Sequence, residues 1–296
     1  MEQGTRSAVR RLDGSPIRAA PSRVDMHCHS VASRLTKPEV RKALFFGECA
    51  TEPEAIYELA KRRGMAFVTI TDHDTIDGAL RLADRPDFFV SEELTARFKD
   101  EPREVHVLCY DIDPDDHAIL QERAGDVEAC AEYLHEQGIL AAVAHPFWEV
   151  EEPLTLPHRR RLAQLFPVWE VRSGYFGTAL NAPALAFREA CGGVGIGGSD
   201  DHGGIHVGLT YTETPAAGSP EEFLGHVRAG LADARGEQGN RWKLTQTTAA
   251  IGLRSLPGGL GRVAGALASR APRVRPREAP MPPQEAPAPL ADVVGL

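Results

Sequence analysis

FVTITDHDT, residues 67–75, is an apolar, β-branched run that ends in an aspartate and a histidine. DMHCHS at 25–30, HP at 145–146 and SDDH at 199–202 close three other runs of strand-like character. Imidazole nitrogens and carboxylate oxygens are the ligands that Zn, Mn and Fe accept. Because these residues recur at the ends of strand-like runs, the pattern predicts a fold whose strand ends meet at a multinuclear metal centre.

Short apolar runs alternate with helical patterns through the middle of the chain. A helix is predicted over Glu52–Arg63 with Thr51 as its N-cap, and a long one over Asp115–Gln137. Strand–helix alternation is typical of parallel strands covered by helices, so we expect an α/β fold with a closed or nearly closed (β/α)7 barrel. The predicted strands are Val24–His27, Phe67–Thr71, Phe88–Ser91, Val105–Tyr110, Leu140–Ala144, Val168–Arg172 and Val194–Gly197.

The chain divides into three zones by composition. Residues 1–22 lack periodicity and are predicted to be a disordered tail, residues 23–250 form the barrel, and residues 251–296 form a Pro/Ala/Arg-rich disordered tail. The stretch from Arg254 to Arg277 holds six arginines and no acid. It is either a solvated linker or a contact for an anionic partner.

The bulk composition favours a cytoplasmic enzyme. The net charge of −9 argues against general nucleic-acid binding by the whole molecule. Five cysteines without a C-x-x-C pair indicate neither a disulfide framework nor a thiolate zinc site. No signal peptide is evident, and the longest apolar run, 139–144, is too short to span a bilayer.

The first two clusters each allow a second interpretation. His27 and His29 lie two residues apart, so on a strand both project from one side and can bind one ion, but they can also be hydrogen-bonded core residues. Asp72 and His73 can bind metal, or they can cap a helix that begins near Thr75.

The remaining clusters are informative in different degrees. Strand alternation lets only one of Glu92 and Glu93 face inward. His145 follows a fully apolar strand, where a polar side chain requires a partner. Asp200 and His202 repeat the two-residue spacing after a glycine-rich turn.

These motifs, in this order, resemble the PHP (polymerase and histidinol phosphatase) family over roughly residues 24–212. The resemblance implies a distorted (β/α)7 barrel that holds up to three metal ions. It rests on DMHCHS, VTITDHDT, VSEELT, EVHVLCY, VAHP and GGSDDH.

The resemblance also implies a ligand set. Glu93 would complete a first site and bridge to a second, and Glu92 remains the alternative to it. The first site would use His27, His29 and Asp200, the second His106 and His145, and the third His73 and His202, with Asp72 nearby.

Two ions bridged by a carboxylate can hold a hydroxide at neutral pH, because each cation lowers the pKa of bound water. Here Glu93, Asp200 and His145 would hold that bridging hydroxide. The ions, two or three of Zn, Mn or Fe, would also offset charge on a phosphoester. We therefore expect hydrolysis of a phosphomonoester or phosphodiester: a nucleotide, an oligonucleotide or a small phosphate ester.

One departure from the family concerns the third site. Many relatives carry an Asp or His shortly after the first motif, where this chain has Ser33 and Arg34, and arginine cannot bind a cation. Candidate phosphate contacts are Arg34, Lys37, Arg172 and His206, although the sequence favours an ordinary surface position for each of them.

Two other function classes remain open. Barrels with His-x-His clusters also host amidohydrolases and deaminases, although no predicted strand here ends in the lysine that many of them use. The third class is a non-catalytic module stabilised by metal, and the number of polar ligand-type residues argues against it.

Overall fold

Eight strands and eight helices are present in the part of the chain that the computed structural model describes, residues 20–33, 49, 51–148 and 152–254. The strands are β1 (Ser22–Val24), β2 (Ser91–Arg97), β3 (Glu104–Tyr110), β4 (Leu140–Val143), β5 (Val168–Ser173), β6 (Val194–Gly198), β7 (Thr210–Thr214) and β8 (Asp233–Gly236). The helices are α1 (Pro53–Arg62), α2 (Asp77–Leu80), α3 (Pro114–Arg123), α4 (Val127–Glu136), α5 (Leu156–Leu165), α6 (Thr178–Cys191), α7 (Pro220–Arg228) and α8 (Arg241–Arg254).

Strand pairing gives two sheets, one of mixed direction and one antiparallel. A five-stranded sheet has the order β2-β3-β4-β5-β6, and a three-stranded antiparallel sheet has the order β1-β7-β8. Only β4, β5 and β6 are parallel neighbours, whereas β2, β3 and β4 pair antiparallel, so the prediction of uniformly parallel strands was wrong. Residues 98–103 are too few for a crossover between β2 and β3. Between β3 and β4 two helices, α3 and α4, return the chain to the end of the sheet that it left.

The two sheets are not closed into a barrel by strand ladders among the described residues. Residues 67–71, predicted as a strand, make only an isolated bridge from Val68 to Phe88. One or two backbone hydrogen bonds instead link each pair of segments that carry the polar clusters. They include Glu93 N to Asp72 O (3.1 Å), Thr71 N to Cys28 O (2.9 Å) and Asp200 N to His27 O (2.7 Å). The architecture is a mixed α/β fold in which these bonds bring distant segments together.

Helix α1 confirms the prediction at 52–63, but its N-cap is Glu52 rather than Thr51, whose carbonyl accepts a hydrogen bond from Val31 N. The single long helix predicted over 115–137 is wrong. It is divided into α3 and α4, because Asp126 caps a new helix by accepting hydrogen bonds from Glu128 N and Ala129 N. The sequence signal for the break is Gly125-Asp126.

Strand β3 shows how the core positions the site. Its two faces are both buried: Val107 and Cys109 pack in one apolar cluster with Leu134, whereas Leu108 and Tyr110 pack in another. Because side chains alternate along a strand, His106 shares the face of Leu108 and Tyr110. The histidine is therefore directed to the inner side of the sheet, as the sequence predicted.

The predicted tail boundaries shift by a few residues. Ser22 belongs to β1 and pairs with Thr214, so the ordered fold begins before residue 23. Helix α8 runs to Arg254, past the predicted boundary at 250, and most of both predicted tails (1–19 and 255–296) lies outside the described residues. Within the described part of the chain, every helix is too short or too polar to cross a membrane.

Candidate metal centre

Eight of the nine predicted ligands converge. They form four overlapping groups of three, and within each group the ligand atoms lie within 4.8 Å of one another. Residues as distant in sequence as 27 and 202 are thereby brought to one place. The groups are His29–His73–His202, His27–His145–Asp200, His27–His29–Glu93 and His73–Glu93–His106.

Glu93 is the central carboxylate of the cluster. Its Oε1 lies 2.8 Å from Nδ1 of His106 and 3.0 Å from Nε2 of His145. Its Oε2 lies 3.0 Å from Nε2 of His27 and 3.3 Å from Nε2 of both His29 and His73. The side chain is completely buried, so both oxygens serve only groups within the protein.

Asp200 is the second carboxylate, and it approaches the same Nε2 atoms of His27 and His29 as Glu93 does. Its Oδ1 is 3.5 Å from Nε2 of His27 and 3.3 Å from Nε2 of His29. Asp200 has φ 49° and His145 has φ 25°, so both occupy the left-handed region that non-glycine residues rarely adopt. Backbone strain of this kind is concentrated at functional sites, because the surrounding structure must hold it in place.

Two of the polar residues considered in the sequence lie outside the four groups. Asp72 accepts hydrogen bonds from Ser30 N at 2.5 Å and Ser30 Oγ at 2.6 Å, so it ties two site-forming loops together and does not cap α2, whose N-cap is Ile76. Glu92 faces away from Glu93, and its Oε2 is 2.8 Å from Nδ1 of His117. The choice of Glu93 over Glu92 therefore agrees with the side chains' orientation.

The cluster is electrostatically coupled. Burial raises the pKa of Glu93, but the imidazoles of His73, His27 and His106 outweigh that effect and lower it well below its ordinary value. Burial lowers the pKa of His29, but hydrogen bonds to Asp200 and Glu93 raise it to about 10. Without a metal ion, the Glu93 carboxylate is therefore ionised and the His29 imidazole holds a proton at neutral pH.

The donor set fits divalent cations. Nε2 of His27 and Nε2 of His29 lie only 3.1 Å apart, and both face carboxylate oxygens. Two neutral imidazoles repel when their lone pairs point at each other. A cation placed between the two rings and the carboxylates would accept lone pairs from both nitrogens and from the carboxylate oxygens. Imidazole and carboxylate together are typical ligands of Zn, Mn and Fe.

Sequence reasoning missed the role of Glu170, a carboxylate that supports the cluster from behind. Its Oε1 lies 3.2 Å from Nδ1 of His27, and its Oε2 accepts a hydrogen bond from His145 N at 2.9 Å. The signal was present, because a glutamate in the apolar strand VWEVRS must find a partner when buried.

Two aspartates that flank the predicted ligands shape the backbone. Asp25 accepts hydrogen bonds from Ser199 N at 2.7 Å and Gly208 N at 2.6 Å, and burial raises its pKa to about 6 although these bonds lower it. Asp201 accepts from Ile205 N at 2.7 Å and His206 N at 3.0 Å. Asp25 therefore holds the loop after β6 against the segment that carries His27, whereas Asp201 fixes the turn within that loop.

Ser33 occupies the position where the family resemblance would place a further ligand, and it contacts the His29–His73–His202 group. Its hydroxyl accepts a hydrogen bond from His73 N at 3.1 Å and lies 3.5 Å from Nδ1 of His29. Ser33 thus positions two of the histidines.

The predicted phosphate contacts have different outcomes. Arg34 and Lys37 lie outside the described residues. The Arg172 guanidinium donates a hydrogen bond to the carbonyl of Gly236, and its role as a phosphate contact stays a prediction.

His206 lines a small pocket beside Asp200, and neither of its buried ring nitrogens has a hydrogen-bond partner. Lys243 of α8, which the sequence did not single out, lines the same pocket, and its Nζ lies 3.1 Å from Oε2 of Glu237.

No protein-family model and no curated protein matches this sequence significantly. Among solved structures, a two-domain protein from Bacteroides vulgatus that contains a predicted PHP-like metal-dependent phosphoesterase superposes with a TM-score of 0.51. The alignment covers 85% of this chain and 75% of that one, at 15% sequence identity. The fold is PHP-like. The resemblance read from the motifs is thereby confirmed at the level of the fold.

Other solved structures align less well with this PHP-like fold. The lesion-specific endonuclease PfuEndoQ from Pyrococcus furiosus has a TM-score of 0.47 at 17% identity, covering 73% of this chain and 58% of its own. An amidohydrolase from Chromobacterium violaceum has a TM-score of 0.47 at 16% identity, covering 76% of this chain and 96% of its own.

Proposed function

We propose that this protein is a metal-dependent hydrolase of phosphomonoesters or phosphodiesters that uses two or three divalent ions, Zn, Mn or Fe. The observation that carries the proposal is the position of Glu93 between two sets of ligands. Its Oε1 faces His106, and its Oε2 faces His27. One carboxylate shared in this way can hold two cations close together, as metal-assisted phosphoester hydrolysis requires. The backbone hydrogen bonds that connect the segments around the centre also support describing the fold as a distorted barrel.

The ligand groups overlap, so several divisions among ions are compatible with them. His27 and His29 with Glu93 and Asp200 form one place for an ion, in agreement with the first predicted site. His106 lies with His73 and Glu93, whereas His145 lies with His27 and Asp200. The second predicted site, which combines His106 and His145, stays part of our proposal, because both histidines face Oε1 of Glu93.

Bound divalent ions would supply the positive charge that polarises a phosphoryl oxygen and lowers the pKa of a coordinated water. The chain's own residues orient the ligands. Glu170 faces Nδ1 of His27 and thereby keeps Nε2 available as a lone-pair donor on the side of Glu93. His27, His29, Glu93 and Asp200 are buried, and exclusion of water strengthens each electrostatic interaction among them.

A matched substrate panel tests the reaction class. The full chain is stripped with a chelator, reloaded with Mn, Zn or Fe, and assayed with p-nitrophenyl phosphate, bis(p-nitrophenyl) phosphate and p-nitroacetanilide. The two phosphoesters release p-nitrophenol and the amide releases p-nitroaniline, so the type of bond cleaved is the main variable. We expect metal-dependent release from one or both phosphoesters. Release from the anilide alone would replace the proposal with an amidohydrolase, and no release with any metal would favour the non-catalytic module.

A further inference from the structure

A group of aromatic side chains borders the metal centre on its exposed side. The ring centroids of Trp148 and Phe176 are 5.3 Å apart, and those of Phe176 and Tyr175 are 5.1 Å apart. Together these three residues form an aromatic wall. Trp148 follows β4, and the other two lie between β5 and α6, so two segments of the chain build it.

The wall touches imidazoles of the centre along its whole length. The Trp148 ring lies 5.1 Å from that of His145 and 6.3 Å from that of His106. At the other end, the Tyr175 ring lies 5.7 Å from that of His202. A group bound at the centre would therefore have the wall beside it.

The aromatic residues are held in place by the backbone. Trp148 N donates a hydrogen bond to the carbonyl of His145 at 2.8 Å. The carbonyl of Phe176 accepts hydrogen bonds from Gly239 N at 2.8 Å and from Nδ2 of Asn181 at 3.0 Å. A wall that is already ordered loses little conformational entropy when a ligand binds to it.

The wall differs from a core aromatic cluster. Trp169 is 2% exposed and stacks on Phe187 within the apolar core, whereas Trp148 is 37% exposed. Among the described residues, none of the three wall residues belongs to an apolar core cluster. An indole that combines a contact with the metal-ligand histidines and an exposed surface is suited to stacking on a ligand.

We propose that the aromatic wall binds a planar aromatic ring of the substrate, so that the chain acts on phosphate esters of nucleosides or similar ring-bearing alcohols in preference to sugar or alkyl phosphates. This inference rests on the proposed phosphoester function. Stacking on aromatic side chains tolerates many bases, because every base presents a π-face. The wall therefore selects for the presence of a ring rather than for its identity.

The test uses two hydrolysis-resistant probes, the methylenephosphonate analogues of adenosine 5′-monophosphate and of ribose 5-phosphate. They share the phosphonate and the ribose and differ in the base. Binding to the metal-loaded full chain is measured by titration calorimetry. We expect the adenosine analogue to bind more tightly, by about 5- to 150-fold.

Trp148→Ala should remove this preference by weakening the adenosine analogue alone, and Trp148→Phe should keep most of it. Trp242→Ala is the matched control, because Trp242 is 68% exposed on α8. Circular dichroism and metal content confirm that each variant remains folded and loaded.

Equal binding of the two probes by the wild-type chain, or a preference that survives Trp148→Ala, would overturn the role of the wall and leave the phosphoester function standing. If neither probe binds, the role of the wall is refuted, and the p-nitrophenyl panel decides whether the phosphoester function stands. Anilide turnover in the p-nitrophenyl panel would then identify the amide as the substrate class.

Discussion

Nδ1 of His27 lies 3.2 Å from Oε1 of Glu170, at the bottom of the metal centre, and both side chains are buried. The same carboxylate accepts a hydrogen bond from His145 N, so it fixes two ligand-bearing segments at once. A carboxylate behind a ligating histidine sets the tautomer of the ring and its orientation. Glu170 therefore connects strand β5 to the chemistry of the centre.

Glu170→Gln should lower metal affinity by about 10- to 100-fold, the usual cost of losing such a partner. The amide would keep the bond from His145 N through its oxygen but present an NH₂ group to Nδ1 of His27. That contact favours the tautomer with the proton on Nε2, where the lone pair is needed. Competition with a chromophoric chelator measures the affinity. Glu128→Gln, at an exposed ion pair with Arg161, is the control, and equal affinities in the two variants would refute the role of Glu170.

Glu93→Gln should abolish the centre, whereas Glu92→Gln should not. Glu93 lies among five imidazoles, and glutamine would remove the negative charge that faces them and any metal ion that they bind. We expect metal content near zero and activity reduced by orders of magnitude. Glu92 contacts His117 and Gln121 on the other face of β2, so its replacement should lower the free energy of unfolding by about 1–3 kcal/mol at most. Metal analysis and unfolding by urea measure both effects, and loss of metal from the Glu92 variant would contradict the assignment.

The stability of the metal-free protein should fall as the pH rises above neutrality. Burial lowers the pKa of His29, but hydrogen bonds to Asp200 and Glu93 raise it to about 10 from an ordinary value of 6.5. A raised folded-state pKa contributes stability that is fully present below about pH 6.5 and is lost as the pH rises through about 10. One proton accounts for at most about 1.4 kcal/mol per pH unit.

Urea unfolding of the chelated protein between pH 6 and 10, with His29→Gln as the reference, checks this expectation. The wild-type free energy of unfolding should decline more steeply than that of the variant. Parallel pH profiles would show that the His29 imidazolium does not stabilise the metal-free fold.

Gly198→Ala should disturb the centre from within the sheet. A Cβ at this position would lie 2.5 Å from His27 N and 2.9 Å from its Cα, so one of the two segments would have to move. We expect a loss of about 1–3 kcal/mol in the free energy of unfolding together with weaker metal binding. Gly225→Ala, inside α7 with no atom within 4 Å of the added methyl, should instead stabilise by about 0.5–1 kcal/mol. Thermal unfolding and metal content are measured for both variants. Unchanged stability and metal content in the Gly198→Ala variant would contradict the prediction.

The site was more predictable than the fold. Most ligand candidates stood out because polar side chains at the ends of apolar runs need partners: His27, His29, His73, His145, Asp200 and His202. The family resemblance added His106, which lies inside β3, and the structure brings all of these residues together with Glu93. Glu170 was missed because it lies inside β5, whereas the predicted ligands lie mostly at strand ends. Asp72 was expected near the third ion, but two hydrogen bonds to Ser30 hold it outside the four groups.

The sequence by itself determined which segments are strands or helices in outline and which residue types would be brought to a metal. Those properties follow from local periodicity and from the need of each buried polar group for a partner. Only the tertiary structure decided the direction of β2, β3 and β4, which of Glu92 and Glu93 faces inward, and the meeting of Trp148 with Tyr175 and Phe176. Strand pairing and side-chain convergence depend on hydrogen bonds between residues far apart in the chain, and local sequence does not encode these contacts.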